Sequence, residues 1–273
     1  MKASSNHALV GVVFLLVGLP LQAKGACTNP NSILNATYGW QIEEGLIAEG
    51  NTPKPKAEGF FPIATAGHFT FDGSGNLSGA HDTDFGGAFF RFHDSGTYSV
   101  NSDCITGSIV IEGGLRMDMV ITDGGQEIKL ASATSGRVFA STLRTMAAPT
   151  CSASTLSGKS YGYATHGLVG TGIVGSAFPR TGGLLPFSDA GQISFEAGGS
   201  VSGVDNVNIG GVFTPGLPIT GTYTVNSDCT GTTTMTIGGD DRSWSFDILR
   251  GADQIIFVTI PGGVVWAGTL TKE

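Results

Sequence analysis

The sequence predicts an all-β chain of two tandem small antiparallel β-barrels, each of about seven or eight strands; β-sandwiches of the same strand count are the alternative. Three observations predict it. Glycine takes 43 of 273 positions and only 13% of residues are charged, which disfavours long helices, since an interior Gly costs a helix ~1 kcal/mol relative to Ala. Apolar and polar residues alternate along most segments, the period of a half-buried strand. The chain also repeats itself: Ser95-Gly-Thr-Tyr-Ser-Val-Asn-Ser-Asp-Cys104 returns as Thr220-Gly-Thr-Tyr-Thr-Val-Asn-Ser-Asp-Cys229.

Residues 1–26 stand outside that architecture. Lys2, the apolar run Ala8 to Leu19, Pro20, and the small residues Ala23 and Ala26 read as a secretory signal peptide. The run is too short to span a bilayer. A lipoprotein signal ending at Cys27 is disfavoured by Lys24. No later segment reaches ~18 apolar residues, so no membrane span is expected once the signal is removed. The expected location is secreted, periplasmic or at the cell surface. The formal net charge of −8, without any Lys/Arg cluster, excludes nucleic acid as a partner, because an acidic surface repels phosphate backbones.

The first copy is assigned to 27–146. Phe69 and Phe71 alternate with His68 and Thr70, Tyr98 and Val100 with Thr97 and Ser99, and Leu115, Met117, Met119 and Ile121 with Arg116 and Asp118. The second copy, 151–273, follows a boundary near Met146 to Thr150. There Ile193 and Phe195 alternate with Gln192 and Ser194, Tyr223 and Val225 with Thr222 and Thr224, and Trp244, Phe246 and Ile248 with Ser245 and Asp247. Asp72-Gly-Ser-Gly, Phe85-Gly-Gly, Asp123-Gly-Gly, Gly238-Gly-Asp-Asp and Gly251-Ala-Asp read as hairpin turns.

The cysteines follow the duplication. Cys27 and Cys104 are 77 positions apart, Cys151 and Cys229 78. Four cysteines allow three connectivities, and equivalent spacing favours Cys27–Cys104 and Cys151–Cys229 in an exported chain. Zinc is the rival reading, but its ligands usually come as close Cys-x-x-Cys pairs, which this sequence lacks.

The stretch Gly221-Thr-Tyr-Thr-Val-Asn-Ser-Asp-Cys-Thr-Gly231, with its lead Cys, resembles a group of tandem-repeat exported bacterial β proteins of unknown function. The barrel this resemblance implies is similar to allene oxide cyclase and lipocalin-like barrels. The resemblance covers both copies, although copy one has Ile105-Thr106-Gly107 where copy two has Thr230-Gly231. It transfers no catalytic residue, because the matching positions are turn, strand and disulfide positions.

Several motifs are weighed for chemistry. Gly170-Thr-Gly-Ile-Val-Gly175, with Asp189 downstream, fits a dinucleotide fingerprint, but Pro179 and Gly182-Gly183 forbid the helix that would face a phosphate. Gly158-Lys-Ser-Tyr-Gly162 fits a nucleophile elbow, yet it opens a strand, and Thr37 replaces the serine in copy one. Asp72 to Asn76 spaces oxygens like a calcium loop, while the equivalent Glu196 to Ser200 loses most of them. The densest ionisable cluster is His81, Asp82, Asp84, His93 and Asp94, in which His81, Asp84 and His93 are the candidate metal ligands. Asp118 and Asp247 recur opposite the apolar face and are assigned to the wet outer surface, and Glu127 corresponds to Gln254.

The leading functional expectation is a non-catalytic exported protein that binds a small apolar ligand or a surface partner, without a cofactor. Its expected lining residues are Phe69, Phe71, Tyr98, Met117 and Met119 in copy one and Phe195, Tyr223, Trp244 and Phe246 in copy two. A barrel cyclase or isomerase acting on an apolar substrate, and a structural or adhesive surface component, are the alternatives. The cyclase would need a polar residue on the inward face of both copies, and pattern alone identifies none.

Overall fold

The computed structural model describes residues 27–48, 60–86, 88–146, 150–170, 184–260 and 264–273. The signal-peptide segment 1–26 lies outside them, as does the glycine fingerprint beyond Gly170.

The chain forms two closed antiparallel barrels. The first comprises β1 (Thr37–Ala48), β2 (Phe60–Phe71), β3 (Asn76–Phe85), β4 (Ala88–Val100), β5 (Thr106–Ile111), β6 (Leu115–Thr122), β7 (Glu127–Ser132), the two-residue β8 (Arg137–Val138) and β9 (Ala140–Thr145). Strands β2 to β7 form a meander, β9 pairs β7 and β1, and β1 pairs β2, which closes the sheet. The second repeats this with β10 (Lys159–Gly170), β11 (Leu184–Phe195), β12 (Ser200–Ile209), β13 (Val212–Val225), β14 (Thr230–Ile237), β15 (Asp240–Leu249), β16 (Gln254–Ile260), β17 (Val264–Val265) and β18 (Ala267–Lys272). Eight long strands close each barrel, so the sandwich alternative falls. Closure removes the unpaired edges a sandwich would keep.

One end of each barrel is plugged. In the first, a short helical turn (Pro30–Ile33) delivers the wholly buried Leu34; in the second, α1 (Ala153–Leu156) delivers the wholly buried Leu156. Disulfides Cys27–Cys104 and Cys151–Cys229 tie these plugs to the turns after β4 and β13. The Asn-Ser-Asp-Cys repeat is that turn. Asp103 accepts from the backbone N–H of Ile105 (2.8 Å) and Thr106 (2.9 Å), and Asp228 from that of Thr230 (3.1 Å). This holds Cys104 and Cys229 at φ 55° and 68°, a left-handed conformation that Asp-rich turns accommodate.

The plugged half holds the core. Tyr38 and Tyr98 meet the Phe71 ring edge-on at 5.3 and 4.9 Å, and Tyr161 and Tyr223 meet Phe195 at 5.5 and 5.0 Å. Each Tyr hydroxyl buried there finds a carbonyl: Tyr38 donates to Gly125 (2.6 Å) and Tyr161 to Ala252 (2.7 Å). Glycines face inward where the barrel wall is tightest. A Cβ at Gly79 would run into the His68 carbonyl, and one at Gly203 into that of Gln192.

The barrels touch along their outer faces. Ala64 and Ala66 of β2 pack with Val258, Val265 and Ala267, small side chains that let two sheets approach. Thr269 donates to Gln41 (2.8 Å), and Arg250 lies 3.5 Å from Glu127, which also holds Lys129 and Arg144, each at 2.9 Å. Asp118 is exposed, as expected. Asp247 also faces outward but is not wet: it is 4% exposed because the first barrel covers it. No helix among the described residues is long and apolar enough to cross a membrane. The two disulfides fit an oxidising compartment outside the cytoplasm.

Candidate binding cavities

The unplugged half of the first barrel holds a cavity of about 550 Å³, within the ~300–1,000 Å³ of small-molecule sites. Strand phase decides what lines it. On β3 the buried Leu77 sets the inward register, which Gly79, His81, Thr83 and Phe85 continue. On β4, Tyr98 and Val100 set it for Asp94, Phe92 and Phe90. His81 sits opposite Phe92 and Asp94 opposite Gly79, so the two ionisable groups are diagonal neighbours. His81 Nδ1 lies 2.5 Å from Asp94 Oδ2. A carboxylate there accepts from the Nδ1–H and fixes the orientation of the ring. Phe92 stacks on the imidazole at 4.9 Å and Trp40 meets it edge-on at 5.0 Å. Thr65 and Thr83 share a hydroxyl hydrogen bond of 2.9 Å.

Two buried donors at this cavity lack partners. Trp40 Nε1 and Arg137 Nε find no acceptor among the described residues, and both side chains line the space. The mouth is apolar: Phe90 and Phe92 are 47% and 43% exposed. A register shift between β1 and β2, from Ile42 to Gly45, falls at this wall; β10 and β11 pair without one. Such bulges bend a strand and re-aim its side chains.

The second barrel holds a smaller cavity, about 320 Å³. Its middle layer has diverged while its register has not. Asp205 sits opposite Gly191, as His81 sits opposite Gly67. Asp189 takes the place of Thr65, Tyr163 that of Trp40, and Ile219 that of Asp94. Asp189 accepts from the Thr165 hydroxyl. Burial pushes the Asp189 carboxyl up to about 8, the Asp205 charge adds to this, and the Thr165 bond opposes it. Burial also raises Asp205, against the adjacent Tyr163 hydroxyl.

A third space, about 260 Å³, lies between the barrels. Arg91 grips Asp82 with two bonds (2.7 and 2.9 Å), and His68 Nδ1 lies 3.0 Å from Asp247 Oδ1. Both carboxylates are already engaged within the protein.

Several expectations need correction. The proposed metal ligands are not brought together, because alternation sends His81 inward while Asp84 and His93 face outward. Among the described residues no three His, Cys, Asp or Glu side chains gather for a metal. None of the nine aromatic and Met residues expected to line a ligand does so. All are inward and at most 4% exposed, but they fill the plugged half as solid core. Asp72 is a turn device, accepting from Ser74 N (2.7 Å), Asn76 N (3.0 Å) and Asn76 Nδ2 (2.7 Å). Ser160 lies in β10 and pairs with Ser194 (2.7 Å), with no strand-to-helix elbow. Asp189, the would-be ribose ligand, is a barrel-interior residue. Sequence reasoning singles out His81, Asp94 and Asp189 but not their inward facing, and it passes over Thr65 in the first barrel and Thr165 and Asp205 in the second as interior polar residues. Extending the inward phase from Leu77 to His81, and from Val201 to Asp205, is the signal that finds them.

Neither a family model nor a curated protein matches the chain. Solved structures with which it aligns include CghA with Sch210972 (9% identity, 87% of this chain and 88% of that one, TM-score 0.24). Others are a porin-like protein from Bacteroides uniformis (8%, 88% and 97%, TM-score 0.22) and a Myxococcus xanthus hemagglutinin in complex with a mannopentaose (13%, 87% and 99%, TM-score 0.16). Likenesses this low carry no functional argument.

Proposed function

We propose that the protein is an exported carrier of a small, largely apolar molecule bearing a hydrogen-bond acceptor, bound in the open half of the first barrel. The carrying observation is the pair of buried, unpartnered donors, Trp40 Nε1 and Arg137 Nε, at a cavity with an aromatic mouth. A buried donor without an acceptor costs ~1–3 kcal/mol, which a carboxylate or carbonyl on a bound ligand would recover. The signal-like segment 1–26 and the disulfides support delivery outside the cytoplasm.

Calorimetric titration of the full chain with dodecanoate, and with dodecanol as the neutral comparator, tests this. Saturable binding at one site is expected, weakened about tenfold or more in Trp40→Phe and Arg137→Gln. Absence of saturable binding for both compounds, or binding that neither variant alters, would overturn it.

The His81–Asp94 pair favours a second reading, a cyclase or isomerase in which His81, oriented by Asp94, moves a proton within the apolar cavity. Ligand recovered from the wild type and from His81→Gln separates the two. The same compound by chromatography and mass means a carrier; a different isomer from the variant means an enzyme.

A further inference from the structure

The second barrel has kept the architecture of the first and changed the polar groups of its middle layer. Where barrel one presents Trp40 Nε1 and the His81–Asp94 pair, barrel two presents the Tyr163 hydroxyl and the carboxyls of Asp189 and Asp205. The 320 Å³ cavity above them is walled mainly by apolar side chains, among them Phe187, Val207, Leu217 and Trp266, whose buried Nε1 finds no acceptor among the described residues, and is completed by Thr214, Asp240 and Arg242. Asp205 is 1% exposed, and its Oδ1 lines this cavity without a hydrogen-bond partner among the described residues. The buried Tyr163 hydroxyl, which passes over Gly191, lies against Asp205 and opposes the rise of its carboxyl, without forming a hydrogen bond of good geometry. Arg242 lines the mouth but lies 3.6 Å from Asp240, outside the floor.

From this we infer that barrel two carries a second, independent binding site, which takes a small organic ammonium on an apolar body. Two carboxyls on adjacent strands in an apolar space cannot both ionise cheaply, so the empty site retains a proton near neutrality. An ammonium group supplies the missing donor to Asp205, offsets the second charge and releases that proton. Its apolar body replaces water against Phe187, Val207, Leu217 and Trp266. An anion would be repelled by the Asp205 carboxylate, while the cation of the lining, Arg242, lies 3.6 Å from Asp240. A metal ion would find two carboxyls and apolar walls where hard cations take six or more oxygens. Asp240, the third carboxylate of the lining, lies 3.6 Å from Arg242, and among the described residues no three His, Cys, Asp or Glu side chains gather for a metal.

Titration of the full chain with 2-phenylethylammonium and with its neutral analogue 2-phenylethanol tests this directly. The ammonium is expected to bind at least about tenfold more tightly than the alcohol, since charge-assisted bonds are roughly twice as strong as neutral ones. In buffers of different ionisation enthalpy, binding should release close to one proton. Asp205→Asn and, separately, Asp189→Asn should abolish both the preference and the proton release, while Asp118→Asn, on the exposed outer face of the first barrel, leaves them unchanged. Equal affinity for the two compounds, binding without proton release, or preference retained in both Asn variants overturns the inference. The wild-type comparison stands even if one variant fails to fold. Because dodecanoate reports on the first barrel, its failure with ammonium binding intact overturns only the carrier reading, and the converse overturns only this one.

Discussion

His68 on the outer face of β2 places Nδ1 3.0 Å from Oδ1 of Asp247 on the outer face of β15, so an ion pair spans the two barrels. The bond to Asp247 raises the His68 imidazole above 6.5, and burial pushes the Asp247 carboxyl up against the opposing pull of His68. Both shifts mean that the folded chain holds protons more tightly than the unfolded one. The stabilisation from His68 is therefore complete below 6.5 and lost as pH rises through the raised value. Melting temperatures of wild type and His68→Gln, measured across the neutral to mildly alkaline range, should converge as pH rises. A difference that stays constant with pH would rule out the pair as the cause.

Phe71 and Phe92 face into the same barrel but do different work. Phe71, 1% exposed, is the centre of the Tyr38–Phe71–Tyr98 stack. Phe71→Ala, and Phe195→Ala in the second barrel, should each lower unfolding stability by about 3–5 kcal/mol in urea titrations. Phe92 is 43% exposed. Phe92→Ala should cost less than about 1 kcal/mol, near the range of surface changes, while weakening dodecanoate binding. Equal destabilisation by the two substitutions would contradict the division into a packed half and an open half.

That division explains what was legible in the sequence. Alternation around Phe69, Tyr98, Met117 and Trp244 gave the strands and the inward face, and the duplication gave two barrels and the disulfide pairs. Alternation does not say which end of a barrel is plugged, because plugging depends on Leu34 and Leu156 arriving from outside the strand pattern. The inward aromatics therefore read as cavity walls in the sequence, whereas in the structure they are core. His81 and His93 looked like neighbours because their strands pair, but they lie one residue out of register, which puts them on opposite faces. Asp247 reads as a wet-face residue because no pattern within one copy reveals that the other copy covers it.

Each disulfide closes a loop of 77 or 78 residues between a plug and a turn. On the chain-entropy account a loop of that size contributes about 4 kcal/mol by restricting the unfolded chain. Paired replacement of Cys27 and Cys104 by Ser should lower the unfolding free energy of the chain by that order, read from denaturant titration. Paired replacement of Cys151 and Cys229 should do the same independently. The wild type under reducing conditions should lose both increments. A reduced wild type as stable as the oxidised one would show that the plugs are held by Leu34 and Leu156 alone.

Asp189 has a sharper signature, because its carboxyl is pushed up to about 8 from an ordinary value of 3.8. The folded chain keeps this proton over a pH range in which the unfolded chain has lost it. Its contribution is present in full below 3.8 and falls steadily as pH rises to about 8, above which the site is ionised in both states and the loss is complete. Asp189→Asn cannot ionise, so relative to wild type it should gain stability across that interval and gain no more beyond it. The Thr165 hydroxyl, which donates to Asp189, can donate equally to the Asn carbonyl, so the fold need not be disturbed. Paired thermal melts at several pH values give the difference directly, and groups common to both proteins cancel. A stability difference that does not change between mildly acidic and alkaline pH would place the Asp189 proton elsewhere and remove the basis for a shared proton in the second barrel.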